Sequence, residues 1–182
     1  MERLAGASGV SRAMISKVER GESSPTAVLL GKLSAALELS VSELLTGARL
    51  GEGPQSAERP APEAGGGDGA GRVRRAEDTP HWRDPETGYL RRQISTAGFP
   101  AAVTEVVLPP HTRVPYPAAA YAFIAQLVWV LSGRLTLADG SVRRVLAAGD
   151  TFELGEPRSR EFRNETDEEC RYVVVVTRKS TA

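Results

Sequence analysis

Arg12 and Lys17 are the residues of this sequence best arranged to meet another molecule. With Ala13 and Ser16 they recur at helical spacing, so all four share one helix face, and Ser11 precedes them as the N-cap. A guanidinium or ammonium offers hydrogen bonds to the major-groove edge of guanine, and short neighbours let a helix come close to the groove floor. Over residues 1–35 five basic side chains (Arg3, Arg12, Lys17, Arg20, Lys32) stand against three acidic ones (Glu2, Glu19, Glu22), while the whole chain balances 23 against 23. Overall neutrality excludes holding nucleic acid by bulk charge, so the contact has to be local.

Other chemistry finds little support in the residue types. Cys170 is the single cysteine, which excludes a disulfide framework and a Cys-rich zinc site and suits a reducing cytosol. It precedes an apolar strand and reads as a small core residue. His81 and His111 are far apart in sequence, and no Ser-His-Asp or Cys-His set can be assembled from the chain. No apolar run approaches ~18 residues, so no membrane span is expected. With no basic-then-apolar leader, a signal peptide is not expected either, and the chain is placed in the cytoplasm.

The elements that must hold the basic face are short helices. Leu4 and Ala5 open a helical pattern that stops at Gly9. Ser11 then caps Arg12 to about Arg20, with Ile15 and Val18 inward, and Gly21 follows as the left-handed end. Ser24 and Pro25 form an N-cap and first-turn pair for a helix burying Leu29, Leu30, Leu33, Ala36 and Leu37. Ser40-Val-Ser-Glu43 is a capping box for a last helix ending near Leu45. Two helices joined by a tight Gly-bearing turn make a helix-turn-helix. Periodicity alone fits a small bundle with a solvated polar face equally well.

Composition divides the chain into residues 1–50, which hold no aromatic residue, a linker at 51–71, and a third region at 72–182. The middle segment has seven Gly, three Pro and no aliphatic larger than Ala, too little apolar surface to offset the entropy of ordering. All Phe, Trp and Tyr lie between Trp82 and Tyr172. Strands are expected at Gly88–Ser95, Ala101–Leu108, Ala120–Leu131, Arg134–Leu137, Val142–Leu146, Thr151–Leu154, Arg160–Arg163 and Arg171–Thr177, with a hairpin turn at Asp139-Gly140. Such a series argues for an all-β sandwich or barrel. The run Tyr121–Leu131 is apolar on both faces and needs cover on both sides, from the barrel interior and from a second sheet or subunit.

The string Gly9-Val-Ser-Arg-Ala-Met-Ile-Ser-Lys-Val-Glu-Arg-Gly-Glu-Ser-Ser-Pro-Thr26 closely resembles the XRE class of bacterial regulators, the lambda-repressor-like helix-turn-helix family. The resemblance implies a five-helix DNA-binding domain whose third helix reads DNA, with Arg12, Ala13, Ser16 and Lys17 at base edges and Ser11 near phosphate. It also implies a helix ahead of residue 1. Met1 is therefore expected to be an internal methionine, and Leu4, Ile15 and Leu33 to be partly exposed.

Gln126-Leu-Val-Trp-Val-Leu-Ser-Gly133, Leu146-Ala-Ala-Gly-Asp150 and Ser159-Arg-Glu-Phe-Arg-Asn164 resemble a cupin barrel, and Trp82–Arg92 resembles the stretch that joins XRE domains to cupin sensor domains. The expected fold class is thus multidomain, a small all-α helix-turn-helix domain followed by an all-β double-stranded β-helix barrel. Most catalytic cupins hold a divalent metal with three His and one Glu. Here those positions carry Gln126, the His-free stretch Ala119–Ala122, and Arg160, so neither a metal nor another cofactor is expected.

The implied ligand pocket comprises Tyr121, Gln126, Arg160 and Phe162, a lining that favours a small polar or anionic effector. Each residue has an alternative use. Arg160 either contacts an anion or pairs with Glu153 or Glu161, and Gln126 either serves a ligand or satisfies a backbone group. Tyr121 and Phe162, like Tyr116, either wall the cavity or belong to plain core. Trp129 has the opposite parity to Gln126, so it points outward, to sheet packing or to a homodimer interface.

The expected function is a sequence-specific, double-stranded-DNA-binding transcriptional regulator whose cupin domain binds an effector or dimerises. The alternatives are a cupin-type small-molecule enzyme with an appended DNA-binding domain and an antitoxin-like repressor that binds a protein partner.

Overall fold

The computed structural model describes residues 1–47, 73–96 and 98–179, so the expected linker at 51–71 lies outside the described residues. Four helices come first: α1 (Glu2–Ser8), α2 (Arg12–Glu19), α3 (Ala27–Leu37) and α4 (Val41–Gly47). Gly9 ends α1 in the left-handed conformation at φ 66°, which only glycine adopts without strain, and this turns the chain into α2. Ser11 caps α2 by accepting from the Met14 amide at 3.3 Å. The capping box of α4 is complete. The Ser40 amide donates to Glu43 Oε2 at 2.7 Å, and the Glu43 amide donates to Ser40 Oγ at 3.1 Å.

Three sequence expectations change here. Ile15 and Leu33 are buried rather than partly exposed, and only Leu4 remains half-buried. Val10, Ile15 and Leu33 close into a small cluster against which Leu4, Ala5, Leu29 and Leu44 pack, so α1 and α4 supply the cover. The cap of α3 is Thr26 and not Ser24: Thr26 Oγ1 accepts from the Leu29 amide at 3.3 Å. Leu37 is exposed, because α3 turns Ala27, Leu30, Gly31 and Ser34 toward its partners instead.

Ten strands follow: β1 (His81–Arg83), β2 (Leu90–Gln93), β3 (Ala102–Leu108), β4 (Arg113–Tyr116), β5 (Ile124–Ser132), β6 (Arg134–Asp139), β7 (Val142–Ala147), β8 (Thr151–Leu154), β9 (Arg160–Arg163) and β10 (Cys170–Arg178). They form a six-stranded sheet in the order β1-β2-β3-β10-β5-β8 and a four-stranded sheet in the order β4-β9-β6-β7, all neighbours antiparallel. The inner faces alternate along each strand. Val128 and Val130 of β5, Val106 and Leu108 of β3, Tyr172 of β10 and Leu135 and Leu137 of β6 are essentially inaccessible. The hairpin expected at Asp139-Gly140 joins β6 to β7. The start of the long apolar strand is corrected. Residues Ala118–Tyr121 form a single 3₁₀ turn after Pro117, and extended pairing begins only at Ile124.

The helical unit is docked on the barrel. Ala27, Leu30 and Val41 belong to the same apolar cluster as Tyr89, Tyr116 and Tyr172. The buried Asp84, just after β1, accepts from the Ala27 amide at 2.6 Å and so completes the α3 cap from across the chain. Asp84 is held for this by the amides of Glu86 and Thr87 at 2.8 and 3.0 Å. The segment Trp82–Arg92 thus folds into the β1-β2 hairpin and onto α3.

Gly31 marks the tightest point of this contact, since a Cβ there would lie 2.9 Å from Cδ1 of the Tyr116 ring. Tyr116 is itself held edge-on against Tyr121 and Phe162 and hydroxyl to hydroxyl with Tyr89, so a shift of its ring disturbs those contacts. Gly31→Ala gains about 0.8–1 kcal/mol in helix propensity but suffers overpacking of about 1–3 kcal/mol. A net destabilisation is expected, read as a lower thermal midpoint of the full chain. A raised midpoint would show that α3 is not seated this closely.

Candidate functional site

The first candidate site is the outer face of α2. Arg12, Ala13 and Lys17 are exposed, as is Ser11 at the cap, while Ser16 is half-buried. Ser16 accepts from the Arg20 guanidinium, which is also fixed on Glu22 at 2.6 and 3.0 Å. Arg20 is therefore committed within the domain, and the Glu22 carboxyl sits below its usual range because of it. The nearest acid to Arg12 is Glu2 at 4.0 Å, with both side chains largely in solvent, a pairing too exposed to hold the guanidinium. Lys17 makes no ion pair among the described residues. Arg12 and Lys17 are the available cations of this face. Between them Met14 is 38% exposed, a contact candidate that the polar pattern did not single out.

The second candidate site is the barrel interior. Side chains fill nearly all of it and leave a cavity of about 40 Å³. Tyr121, Gln126 and Phe162 line that cavity. Arg160 does not. It points inward from β9 and is 4% exposed, but its Nε lies 3.7 Å from Asp139 and its guanidinium covers the Tyr121 ring at 5.1 Å. Its ion-pair partner is therefore Asp139, where the sequence suggested Glu153 or Glu161. Its Nη2 donates to the Glu156 carbonyl at 2.8 Å, and Nε and Nη1 have no hydrogen-bond partner among the described residues.

The guanidinium that does line the cavity is Arg91, 7% exposed, which the sequence did not single out. Its Nη1 donates to the Tyr89 hydroxyl at 2.8 Å and its Nη2 to Ser42 Oγ of α4 at 2.9 Å. The Tyr89 and Tyr116 hydroxyls are 3.3 Å apart. Burial pushes the Tyr116 and Tyr172 hydroxyls well above their ordinary value, so both stay protonated around the arginine. Ser34, Ser40, Val41 and Ser42 close the cavity, so part of its wall comes from α3 and the start of α4.

Three more bonds hold α4 in that position. Ser42 Oγ lies 2.9 Å from Thr104 Oγ1, and Arg178 of β10 donates to Glu43 Oε1 at 3.0 and 3.2 Å. Burial alone would push the Glu43 carboxyl up, but the Ser40 amide and hydroxyl and Arg178 outweigh it, leaving the group below its usual range. A depressed carboxyl adds stability above its unfolded-state value of about 4.3, and that stability disappears as pH falls through the folded value. Between about pH 6 and pH 3 the wild type should therefore lose more thermal stability than Glu43→Gln. Equal losses would mean that the ionised Glu43 does not secure α4.

A divalent metal is not accommodated by the family's ligand positions, since Gln126, Ala119–Ala122 and Arg160 replace the expected imidazoles and carboxylate. His81 is exposed on β1, and His111 is exposed with its Nε2 2.9 Å from Asp167. Among the described residues no three His, Cys, Asp or Glu converge. Cys170 is fully buried, and its thiol is pushed up to about 11 by burial and by Glu169, which makes it a poor nucleophile.

Comparison with known proteins agrees with both parts. The helix-turn-helix family matches residues 1–44, and the cupin domain family matches residues 104–176. No curated protein matches the sequence. Among solved structures, an HTH_3 family transcriptional regulator from Vibrio cholerae is similar over 97% of this chain and 85% of its own, at 20% identity and a TM-score of 0.66. A predicted oxalate decarboxylase from Thermotoga maritima is similar over 59% of this chain and 100% of its own, at 14% identity and a TM-score of 0.51. At these identities the likeness establishes the fold. Among the described residues no helix is long and apolar enough to cross a membrane.

Proposed function

We propose that this chain, which joins an XRE-type helix-turn-helix domain to a cupin domain, is a sequence-specific transcriptional regulator that acts in the cytoplasm without enzymatic activity. The observation that carries the reading is the face of α2: Ser11, Arg12, Ala13 and Lys17 are exposed, with two cations not tied down within the domain. A capped helix with short and basic outward residues fits the major groove, where Arg12 and Lys17 reach guanine edges. Ser16 supports this face through its bond to Arg20.

The barrel supplies two further roles under this proposal. Its interior, around Tyr121, Gln126 and Phe162 with Arg160 at their flank, takes a small polar or anionic effector. Its outer face, where Trp129 and Leu131 are exposed, joins two chains into a homodimer. A symmetric dimer reads two half-sites about one helical turn apart. Selection of duplexes from a random pool by the full chain tests the proposal. The expected winners share a two-fold symmetric sequence with that spacing. Binding indifferent to sequence and abolished by moderate salt would overturn it.

A further inference from the structure

We propose, resting on the reading of the barrel as an effector domain, that Arg91 anchors the carboxylate of a small organic acid. That carboxylate takes Arg91 away from Ser42, so binding loosens α4 from the barrel. The starting point is a charge without a counter-charge. Arg91 is buried, it cannot shed its proton, and among the described residues no carboxylate lies within ion-pair distance of it. Its two hydrogen-bond partners are neutral hydroxyls, and its Nε has none among the described residues. Arg160, the other buried guanidinium of the interior, has Asp139 beside it. Arg91 therefore carries an uncompensated desolvation penalty that an anion in the adjoining cavity would offset.

Cavity and chemistry agree on the ligand. About 40 Å³ exceeds the room one water needs and suits a group of carboxylate size. The tyrosine hydroxyls around it stay protonated and can donate to such a group, and a carboxylate matches the guanidinium fork. The body of the acid has a second space available. A groove of about 510 Å³ lies beside α4, bordered by Gln93, Ser95, Phe99 and Arg178. Ser40, Ser42, Ile124 and Val176 line both the groove and the cavity, so the first turn of α4 with the ends of β5 and β10 stands between them.

That position makes α4 the element that the ligand biases. Ser42 is the hinge of the contact, since its hydroxyl meets both Arg91 and Thr104. Nη2 is the donor that Ser42 uses, so an acid that draws Nη2 to itself competes with Ser42 for it, and linkage requires that loosening α4 in turn favours the acid. Because α4 and α3 follow directly on the DNA-facing helix α2, the same event changes how the two readers of a dimer are held.

The test uses the full chain and sodium acetate as probe, with acetamide as the neutral isostere and sodium chloride at matched ionic strength. Calorimetry should show one acetate site per chain, and acetamide should show none. Arg91→Met should abolish acetate binding. Arg91→Lys, which keeps the buried charge and loses the fork, should weaken it. Ser42→Ala, which removes the competitor, should tighten it about three- to ten-fold. Hydrogen exchange of the α4 amides should accelerate when acetate is added. The inference is overturned if the folded wild type binds no acetate, if Arg91→Met binds it as well as the wild type, or if α4 exchange does not change. Loss of binding in Arg160→Ala with retention in Arg91→Met also overturns it, while leaving an effector site in the barrel. Acetate bound at Arg91 with α4 loosened but operator affinity unmoved supports the site and refutes the regulatory reading of the barrel.

Discussion

Arg12→Ala is expected to lower affinity for the selected duplex by about 1–3 kcal/mol and to relax the preference at one base pair in each half-site. The side chain is available for this role. It is exposed, its nearest acid is 4.0 Å away at a solvated position, and its helix is fixed by the Ser11 cap and by Ile15 and Val18 beneath. A guanidinium that makes two hydrogen bonds to one guanine contributes to discrimination as well as to affinity. Binding isotherms on the selected site and on its single-base variants check both parts. An equal loss on every sequence would make Arg12 a phosphate contact and assign base reading to Lys17 or Met14. Unchanged stability of the variant is expected, because nothing in the domain depends on the side chain.

Trp129→Glu is expected to separate the proposed homodimer. On β5 the even residues Ile124, Val128 and Val130 are buried inside the barrel, and the odd residues Leu127, Trp129 and Leu131 fall on the outer face. Trp129 is 46% and Leu131 36% exposed, and by register Trp129 lies beside Val173 and Leu127 beside Val175. The result is an apolar patch on the middle of the six-stranded sheet. A central Trp replaced by a charge removes an interface anchor, an effect of about 2–4 kcal/mol on association. Sedimentation of wild type and variant at tens of micromolar, near −6 kcal/mol of association free energy, decides the matter. A monomeric wild type there would remove this face from the proposal. The variant should fold, since the outer position leaves no cavity in the core. It should also lose affinity for a two-fold site, because each reader then binds without the effective concentration that its partner supplies.

The elements legible in the sequence were those fixed by local geometry. The Ser11 cap, the Ser40–Glu43 box, the left-handed Gly9 and Gly21 and the Asp139-Gly140 hairpin all rest on hydrogen bonds or φ angles within a few residues. Strands β8 and β9 occupy the expected residues because each is bounded by turn formers and alternates cleanly. Strands β1 and β4 carry no such local signal. They have three and four residues, β4 contains Pro115, and each is a strand only because β2 or β9 lies alongside. Thr26 displaced Ser24 as the cap because Asp84, far along the chain, draws the Ala27 amide into the first turn.

By itself the sequence determined a capped, basic, groove-sized helix, a β barrel, and barrel positions that lack metal ligands, since each depends on residue type and short-range spacing. Tertiary structure decided what the interior holds. Arg91 and Arg92 are adjacent and chemically identical, so no pattern tells them apart. The pairing of β2 with β3 sets Arg91 opposite Val106, on the inner face, and Arg92 opposite Glu105, on the outer. Glu105 there gathers both Arg92 and Arg171. A strand alternates with period two, so the register of one hairpin sends one guanidinium to an ion pair with Glu105 on the outer face of the sheet and the other into the cavity against α4. The docking of α3 and α4 was equally beyond local reading, because it is made of contacts between residues 27–43 and 84–178, and only the folded chain brings those segments together.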